Sequence, residues 1–401
     1  MKVLQVLHKS LPWNVGGVQT FGFELTKALK RLGHESIIVT SNKTASRRST
    51  ISHHRIHEVD IYRMWSGESC GFVSKYRNAD CENMFRDLLE RLQPDVIHFH
   101  HFLDLSAGLP NVAANLGIRS VLTIHDYWLQ CAYGQRIMPT TLEVCRSIDQ
   151  ECCADCVAPL VDGGANNLER LSLVKQRSVF MRDMLSQLAS LIAPSRFMQS
   201  EFADWCSDVA YIPYGIDLNR FTSEKFIPSK IPRLTFVGRL ARSKGVHVLL
   251  QSMKDVARNV ELTIYGPESN SPKYQREIEF LASEDSRVKI AGPISHDMIH
   301  KLYAKTDAII VPSIWMENSP LVVHEAIASG INVVASDIGG LSELLQGKRR
   351  HRLFTAGDPN ELSAILEDMP FQRGHNSSEA DTFQVVDIEE CATCHIEVYT
   401  T

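Results

Sequence analysis

Residues 307–330, DAIIVPSIWMENSPLVVHEAIASG, constrain the fold of this chain more tightly than any other stretch. The apolar run Ala308 to Pro312 is a buried strand of the kind found in the middle of a parallel sheet. A loop follows, then a helix with clear start and stop signals. Ser319 stands where an N-cap belongs, Pro320 at the first helical position, and Gly330 just past the end. Glu317 lies in the loop at the mouth of that helix, and Glu325 lies within it, eight residues on. A helix N-terminus carries partial positive charge and free N–H groups, where anionic ligands bind in α/β folds. Two carboxylates beside such a terminus are acceptors for hydroxyl groups, as on a sugar and a ribose.

The rest of the chain repeats the strand-then-helix alternation. Residues 2–7 read as a first strand, followed by the glycine pair Gly16-Gly17, an amphipathic helix from about Val18 to Leu32, and a second strand from Ser36 to Thr40. This is a βαβ opening, and the glycine pair lets the backbone approach a phosphate or sugar. Strands at Asp95–His100 and Arg119–Ile124 follow, and His125-Asp126 stands at the carboxyl end of the second. Ligands bind outside the carboxyl ends of strands in open α/β sheets, which places His125 well for chemistry. His98, His100 and His101 read as structural or acceptor-facing. A helical segment from about Asn166 to Leu188, a strand from Leu191 to Ala193 and a helix begun by Pro194 lead to a linker marked by Pro228 and Pro232.

In the second half a strand ends at Gly238, Arg239 follows, and Lys244 comes five residues later as the next helix opens. A guanidinium fork and an ammonium point charge beside a helix N-terminus suit a diphosphate. Gly266-Pro267 and Gly292-Pro293 close two further strands, and Gly339-Gly340 opens a helix. The chain turns polar from Phe371 to about Asp381, and Phe383 to Tyr399 read as a last helix. Cys391-Ala-Thr-Cys394-His395 has the letters of a c-type haem site but reads as part of that helix.

At 401 residues the chain has room for two ordinary domains. A net charge of −5 argues against a general nucleic-acid binder. No apolar run approaches a membrane span, and the N-terminal apolar core is too short for a signal peptide. The ten cysteines are therefore expected as reduced thiols in a cytoplasmic protein. Five of them, Cys131, Cys145, Cys152, Cys153 and Cys156, fall within 26 positions. Two readings stand for this insert of about 131–156: a structural zinc on Cys131, Cys145, Cys153 and Cys156, or thiols left free or packed. Residues 41–58, with Lys43, Arg47, Arg48, His53 and His54, read as a solvated loop, or as a surface meeting anionic lipid or a lipid-diphosphate acceptor.

Glu317 and Glu325, with seven residues between them, resemble the paired-glutamate signature of retaining glycosyltransferases of family 4. Arg239 and Lys244 resemble the family's Arg-x(4)-Lys pair, and the segment 211–217 its domain-crossing run, with Tyr214 where Asn is usual. The resemblance implies the GT-B fold: α/β, two Rossmann-like doubly wound parallel-sheet domains facing across a deep cleft. Residues 1–213 would form the acceptor-side domain and 214–370 the nucleotide-sugar domain, with 371–401 returning toward the first.

It further implies transfer of a hexose-type sugar from a UDP- or GDP-sugar to a glycan or lipid-linked glycan. No catalytic cofactor or metal is implied, since Arg239 and Lys244 would neutralise the leaving diphosphate and no Asp-x-Asp pair is present. Glu325 would accept from the ribose and Glu317 from the sugar. The backbone around Gly16, Gly17, Gly266, Asn318, Ser319 and Leu321 would line the donor, and His125 would contact the sugar. The Glu-Asn-Ser-Pro loop is similar to that of enzymes building bacterial surface polysaccharides, which implies work at the inner face of the membrane. A sugar-nucleotide epimerase or hydrolase of the same fold, and a non-catalytic sugar-nucleotide-binding partner, are the alternatives.

Overall fold

In a computed structural model the chain divides into two units, Met1–Gly215 with Asp387–Thr401, and Ile216–Val386. The structure describes residues 1–41, 50–67, 71–161, 163–347, 350–371 and 385–401. The first unit is built on eight strands: Lys2–Leu7 (β1), Glu35–Ser41 (β2), Thr50–Ile56 (β3), Val59–Trp65 (β4), Val96–Phe99 (β5), Arg119–Thr123 (β6), Ser190–Ala193 (β7) and Val209–Tyr211 (β8). Their order is β3-β4-β2-β1-β5-β6-β7-β8, parallel except for the β3–β4 hairpin. Val3, Leu4, Val6 and Leu7 of β1 are fully buried, as a strand covered on both faces requires. The helix Gly17–Arg31 lays Phe21, Leu25, Ala28 and Leu29 on the core, and each large apolar side chain so buried stabilises by roughly 2 kcal/mol. The helix Ile388–Thr400 belongs to this unit and buries Ile388, Cys391, Ala392, His395 and Tyr399, so the cysteine–histidine letters are helix face.

A short ribbon, Gly215–Ile216 (β9) with Val386–Asp387 (β16), forms where the chain passes from one unit to the other. The second unit carries Arg233–Val237 (β10), Glu261–Tyr265 (β11), Val288–Gly292 (β12), Ala308–Val311 (β13), Asn332–Ser336 (β14) and Arg352–Phe354 (β15). They form one parallel sheet in the order β12-β11-β10-β13-β14-β15. Chain order reverses between β10 and β13 here, and between β1 and β5 in the first unit. Loops leaving the carboxyl ends of strands at such a reversal diverge, and the crevice they leave is where α/β sheets bind ligands.

Two local readings differ from expectation. Residues 50–56 are an edge strand, not a solvated loop, with His53 bonded to Asp60 of β4. Lys43, Arg47 and Arg48, on which the lipid-facing reading rests, lie outside the described residues, as does Phe383. The helix after β13 is Leu321–Ala328, one residue late, because Pro320 is extended (ψ 124°). Ser319 is not its side-chain cap; it meets His324 Nε2 at 2.7 Å. Gly330 does close that helix, in the left-handed region at φ 67°. Among the described residues no helix is long and apolar enough to cross a membrane.

Candidate active-site residues in the two units

In the second unit the loops after β10 and β13 interlock. Arg242–Lys244 form one 3-10 turn, ended by Gly245 at φ 68°. A Cβ on Gly245 would sit 1.7 Å from the Pro312 carbonyl oxygen, so only glycine lets this turn lie on the end of β13. Ile314 N donates to Ser243 O at 2.9 Å across the same contact. The seam delivers Lys244 to Glu317: Nζ donates to Oε1 at 2.6 Å, and the Ser313 hydroxyl donates to the same oxygen at 2.7 Å. Glu317, Asn318 and Ser319 are all buried. Gly340 supports them from behind, since its N–H donates to Glu317 O at 2.7 Å and a Cβ there would lie 1.5 Å from Asn318 O.

Arg239 is exposed; its carbonyl accepts from Ala241 N at 2.8 Å, and its guanidinium has no hydrogen bond or ion pair among the described residues. It follows Gly238, whose N–H donates to Tyr265 O, and Gly266 at the end of β11 donates to Gly292 O. Leu321 opens the helix that carries Glu325. Glu325 is buried and accepts from the Tyr303 hydroxyl at 3.0 Å. Loss of water pushes its carboxyl up to about 7, against the pull of the Tyr303 bond and the Arg220 charge. One unpaired guanidinium, an ammonium pinned by a carboxylate and a carboxyl poised near neutrality thus sit on loops and a helix leaving adjacent strands. Such a set binds an anion and accepts from hydroxyl groups.

In the first unit Gly16 and Gly17 open the helix after β1; the helix has no side-chain cap, so its first N–H groups are not taken by a capping side chain. His125 follows β6 and is 7% exposed. Its Nε2 lies 2.9 Å from His100 Nδ1, and its Nδ1 is bonded to the Tyr214 hydroxyl. Both ring nitrogens are therefore engaged inside this unit. Burial first, then the neighbouring imidazoles, hold His125 well below the usual histidine range. His100 is brought down to about 3 in the same way. Asp126 accepts from Trp128 N and lies 3.2 Å from His101 Nε2.

Gln5, Ser313, Tyr214, Tyr303 and Tyr399 were not anticipated as partners of the site residues. For Gln5 a signal existed, a polar side chain in the middle of an otherwise apolar central strand.

The cysteine insert does not support the zinc reading. Cys131, Cys145, Cys153 and Cys156 line one pocket, yet no described group of His, Cys, Asp or Glu is arranged to hold a metal ion. The Cys145 thiol is turned to the Ser147 carbonyl, and burial with neighbouring sulfurs pushes the Cys153 thiol up to about 12. All five cysteines of the insert are free thiols, Cys152 exposed and the other four part-buried.

Residues 15–220 match the family described as Glycosyltransferase Family 4, just over half of the chain, and residues 231–369 match Glycosyl transferases group 1. The first segment contains Gly16, Gly17 and His125, and the second contains Arg239, Lys244, Glu317 and Glu325. A D-inositol 3-phosphate glycosyltransferase of Xylanimonas cellulosilytica is 31% identical over 39% of this chain and 42% of its own length. A lipopolysaccharide 1,2-N-acetylglucosaminetransferase of Salmonella typhimurium is 27% identical over 49% of this chain and 56% of its own. The chain thus spans about half the length of the curated relatives it matches. Sucrose-phosphate synthase of Thermosynechococcus elongatus shares the fold at a TM-score of 0.75 and 19% identity, covering 100% of this chain and 98% of that one. Anabaena HepE, solved with UDP and glucose, does so at 0.68 and 17%, with 100% of each chain covered. These likenesses and the two parallel-sheet units establish the GT-B fold, and the chain belongs to glycosyltransferase family 4.

Proposed function

We propose that this protein moves a hexose-type sugar, with retention, from a nucleotide diphosphate sugar to a glycan or lipid-linked glycan in surface polysaccharide synthesis. The observation that carries the reading is the Arg239, Lys244 and Glu317 arrangement at the strand-order reversal of the second unit. Arg239 is unpaired and so available to a diphosphate. Lys244 follows on the same loop after β10 and is held by Glu317, a preorganised cation that needs little rearrangement as the leaving group gains charge. Glu325 accepts from the ribose hydroxyls, and within the second unit the backbone from Asn318 to Leu321, with Gly266, lines the donor. Glu317 turns its remaining acceptor capacity to the sugar.

The bond from the anomeric carbon to the diphosphate breaks, and the acceptor oxygen bonds to that carbon on the same face. A donor phosphate oxygen takes the acceptor proton. Two cations in place of a divalent metal make the step metal-independent. The support for a UDP- or GDP-sugar is the neighbour solved with UDP and glucose, and for a polysaccharide acceptor the lipopolysaccharide relative. Such a reaction belongs at the inner face of the cytoplasmic membrane.

The test is turnover. Purified protein with UDP- or GDP-sugar, a lipid-linked glycan and EDTA should release nucleoside diphosphate in step with a product of unchanged anomeric configuration. Release at full rate without any acceptor, or conversion of the donor sugar itself, would replace transfer by a hydrolase or epimerase reading.

A further inference from the structure

A run of buried hydrogen bonds crosses the first unit from β6 to Tyr214. Thr123 Oγ1 meets His98 Nε2 at 2.7 Å, and His98 Nδ1 meets the Tyr399 hydroxyl at 2.7 Å. Gln5 Nε2 donates to that hydroxyl at 3.4 Å, while Gln5 Oε1 lies 2.6 Å from His100 Nε2. His100 Nδ1 then meets His125 Nε2 at 2.9 Å, and His125 Nδ1 meets Tyr214. Seven side chains from β1, β5, β6, the final helix and the segment after β8 share one line.

A neutral imidazole offers one donor and one acceptor, so the proton positions along this line are not independent. Gln5 Oε1 only accepts; His100 must therefore carry its proton on Nε2 and leave Nδ1 bare. The bare Nδ1 takes the proton of His125 Nε2, and the bare His125 Nδ1 takes that of the Tyr214 hydroxyl. On the other side the Tyr399 hydroxyl, accepting from Gln5, donates to His98 Nδ1, and His98 Nε2–H donates to Thr123. Turning the Gln5 amide over would reverse every proton in the line. The groups facing His125 are His100 and His101 from the end of β5, His8 after β1, His395 of the final helix, and Tyr214. None is an anion, and loss of water raises Tyr214 well above the usual phenol, so it remains a donor. Asp126 gives its carboxylate to His101 and to Trp128 N.

We propose that Gln5, His100 and Tyr214 are positioning residues for His125: they fix its ring as the Nε2–H tautomer with both nitrogens satisfied. On the transfer reaction proposed above, His125 then serves the sugar as a fixed wall and through its backbone, and does not carry a proton.

The test is the imidazole nitrogen spectrum of the ¹⁵N-labelled full-length protein between pH 5.5 and 8.5, with His125 assigned by comparison with His125→Gln. A bare Nδ1 and a protonated Nε2 throughout are expected. A proton on Nδ1, or on both nitrogens above pH 6, would overturn the proposal. Gln5→Met should give a mixture of tautomers and lower kcat by about tenfold or more with donor KM nearly unchanged. Gln5→Glu, which keeps the acceptor for His100, should restore the tautomer. An unaltered tautomer in Gln5→Met removes Gln5 from the role, and the wild-type spectrum decides the matter even where that variant fails to fold. The spectra need no substrate, so a wrong tautomer leaves the transfer reading untouched, and failed turnover leaves the tautomer result standing.

Discussion

Arg239 and Lys244 have the same charge and are assigned to the same diphosphate, yet their surroundings separate catalysis from stability. Arg239 is exposed and unpaired among the described residues, so Arg239→Ala should shift folding stability by less than about 0.5 kcal/mol. It should still lower kcat by about 100-fold or more, as loss of a transition-state donor does. Lys244→Ala leaves the buried Glu317 carboxylate with the Ser313 hydroxyl but without its ammonium. A fully buried broken pair costs more, but the Lys244 side chain is 21% exposed, so about 1–3 kcal/mol is expected by urea unfolding. Comparable stability losses in both variants would contradict the geometry.

Glu325 sets a pH dependence of opposite sign for folding and for binding. Its carboxyl rises from an ordinary 4.5 to about 7 in the folded chain, which therefore holds the proton more tightly than the unfolded one. The stability it lends is complete below pH 4.5 and is lost as pH rises through 7. Ribose hydroxyls donate to the ionised form, so donor affinity should grow across pH 6 to 8, with the trend absent in Glu325→Gln. Titration calorimetry at the two ends reads the affinity, and urea unfolding over pH 4 to 8 reads the stability. This residue was singled out through the resemblance of the Glu317 and Glu325 pair to the family's paired-glutamate signature. The histidine line stayed hidden, since the pairing of β1, β5 and β6 that aligns Gln5, His98 and His100 is a matter of register.

At the scale of elements, the parallel strands other than β4, β8 and β15 were legible because burial on both faces leaves short, nearly unbroken apolar runs. β3 was not, because an edge strand exposes half of its residues, and Thr50–Ile56 reads as polar. The helix Ala79–Leu92 also passed unremarked, although Asn78 caps it by accepting from Cys81 N. Ser319 misled because the local pattern matched an N-cap while Pro320 kept an extended backbone. The loop that holds Glu317 depends on a neighbour no spacing rule reveals. Gly340→Ala would place a methyl 1.5 Å from Asn318 O, so the whole Glu317 loop must move. We expect donor KM to rise and kcat to fall together, by roughly tenfold or more, while far-ultraviolet circular dichroism stays native. Unchanged kinetics would mean that the loop is not held from Gly340.

For the whole molecule, the alternation of strands and helices read in both halves corresponds to two sheets, each with its own strand-order reversal. The chain leaves the first unit after Gly215 and returns at Asp387, and the final helix packs with the residues of the first unit. Packing is what the sequence pattern could not supply for that helix, because a helix with Cys391 and His395 on its buried face lacks the aliphatic stripe that marks a core element. The central claim is that this fold takes up a nucleotide diphosphate sugar through Arg239, Lys244 and Glu325. Thermal unfolding of wild type and Glu325→Ala with UDP-, GDP- and ADP-sugars tests it most directly. One nucleotide class should stabilise the wild type, by about 2.7 kcal/mol at a hundredfold excess over its dissociation constant, and Glu325→Ala should lose that gain. Stabilisation by none of the three classes, or a gain that survives in Glu325→Ala, would contradict it.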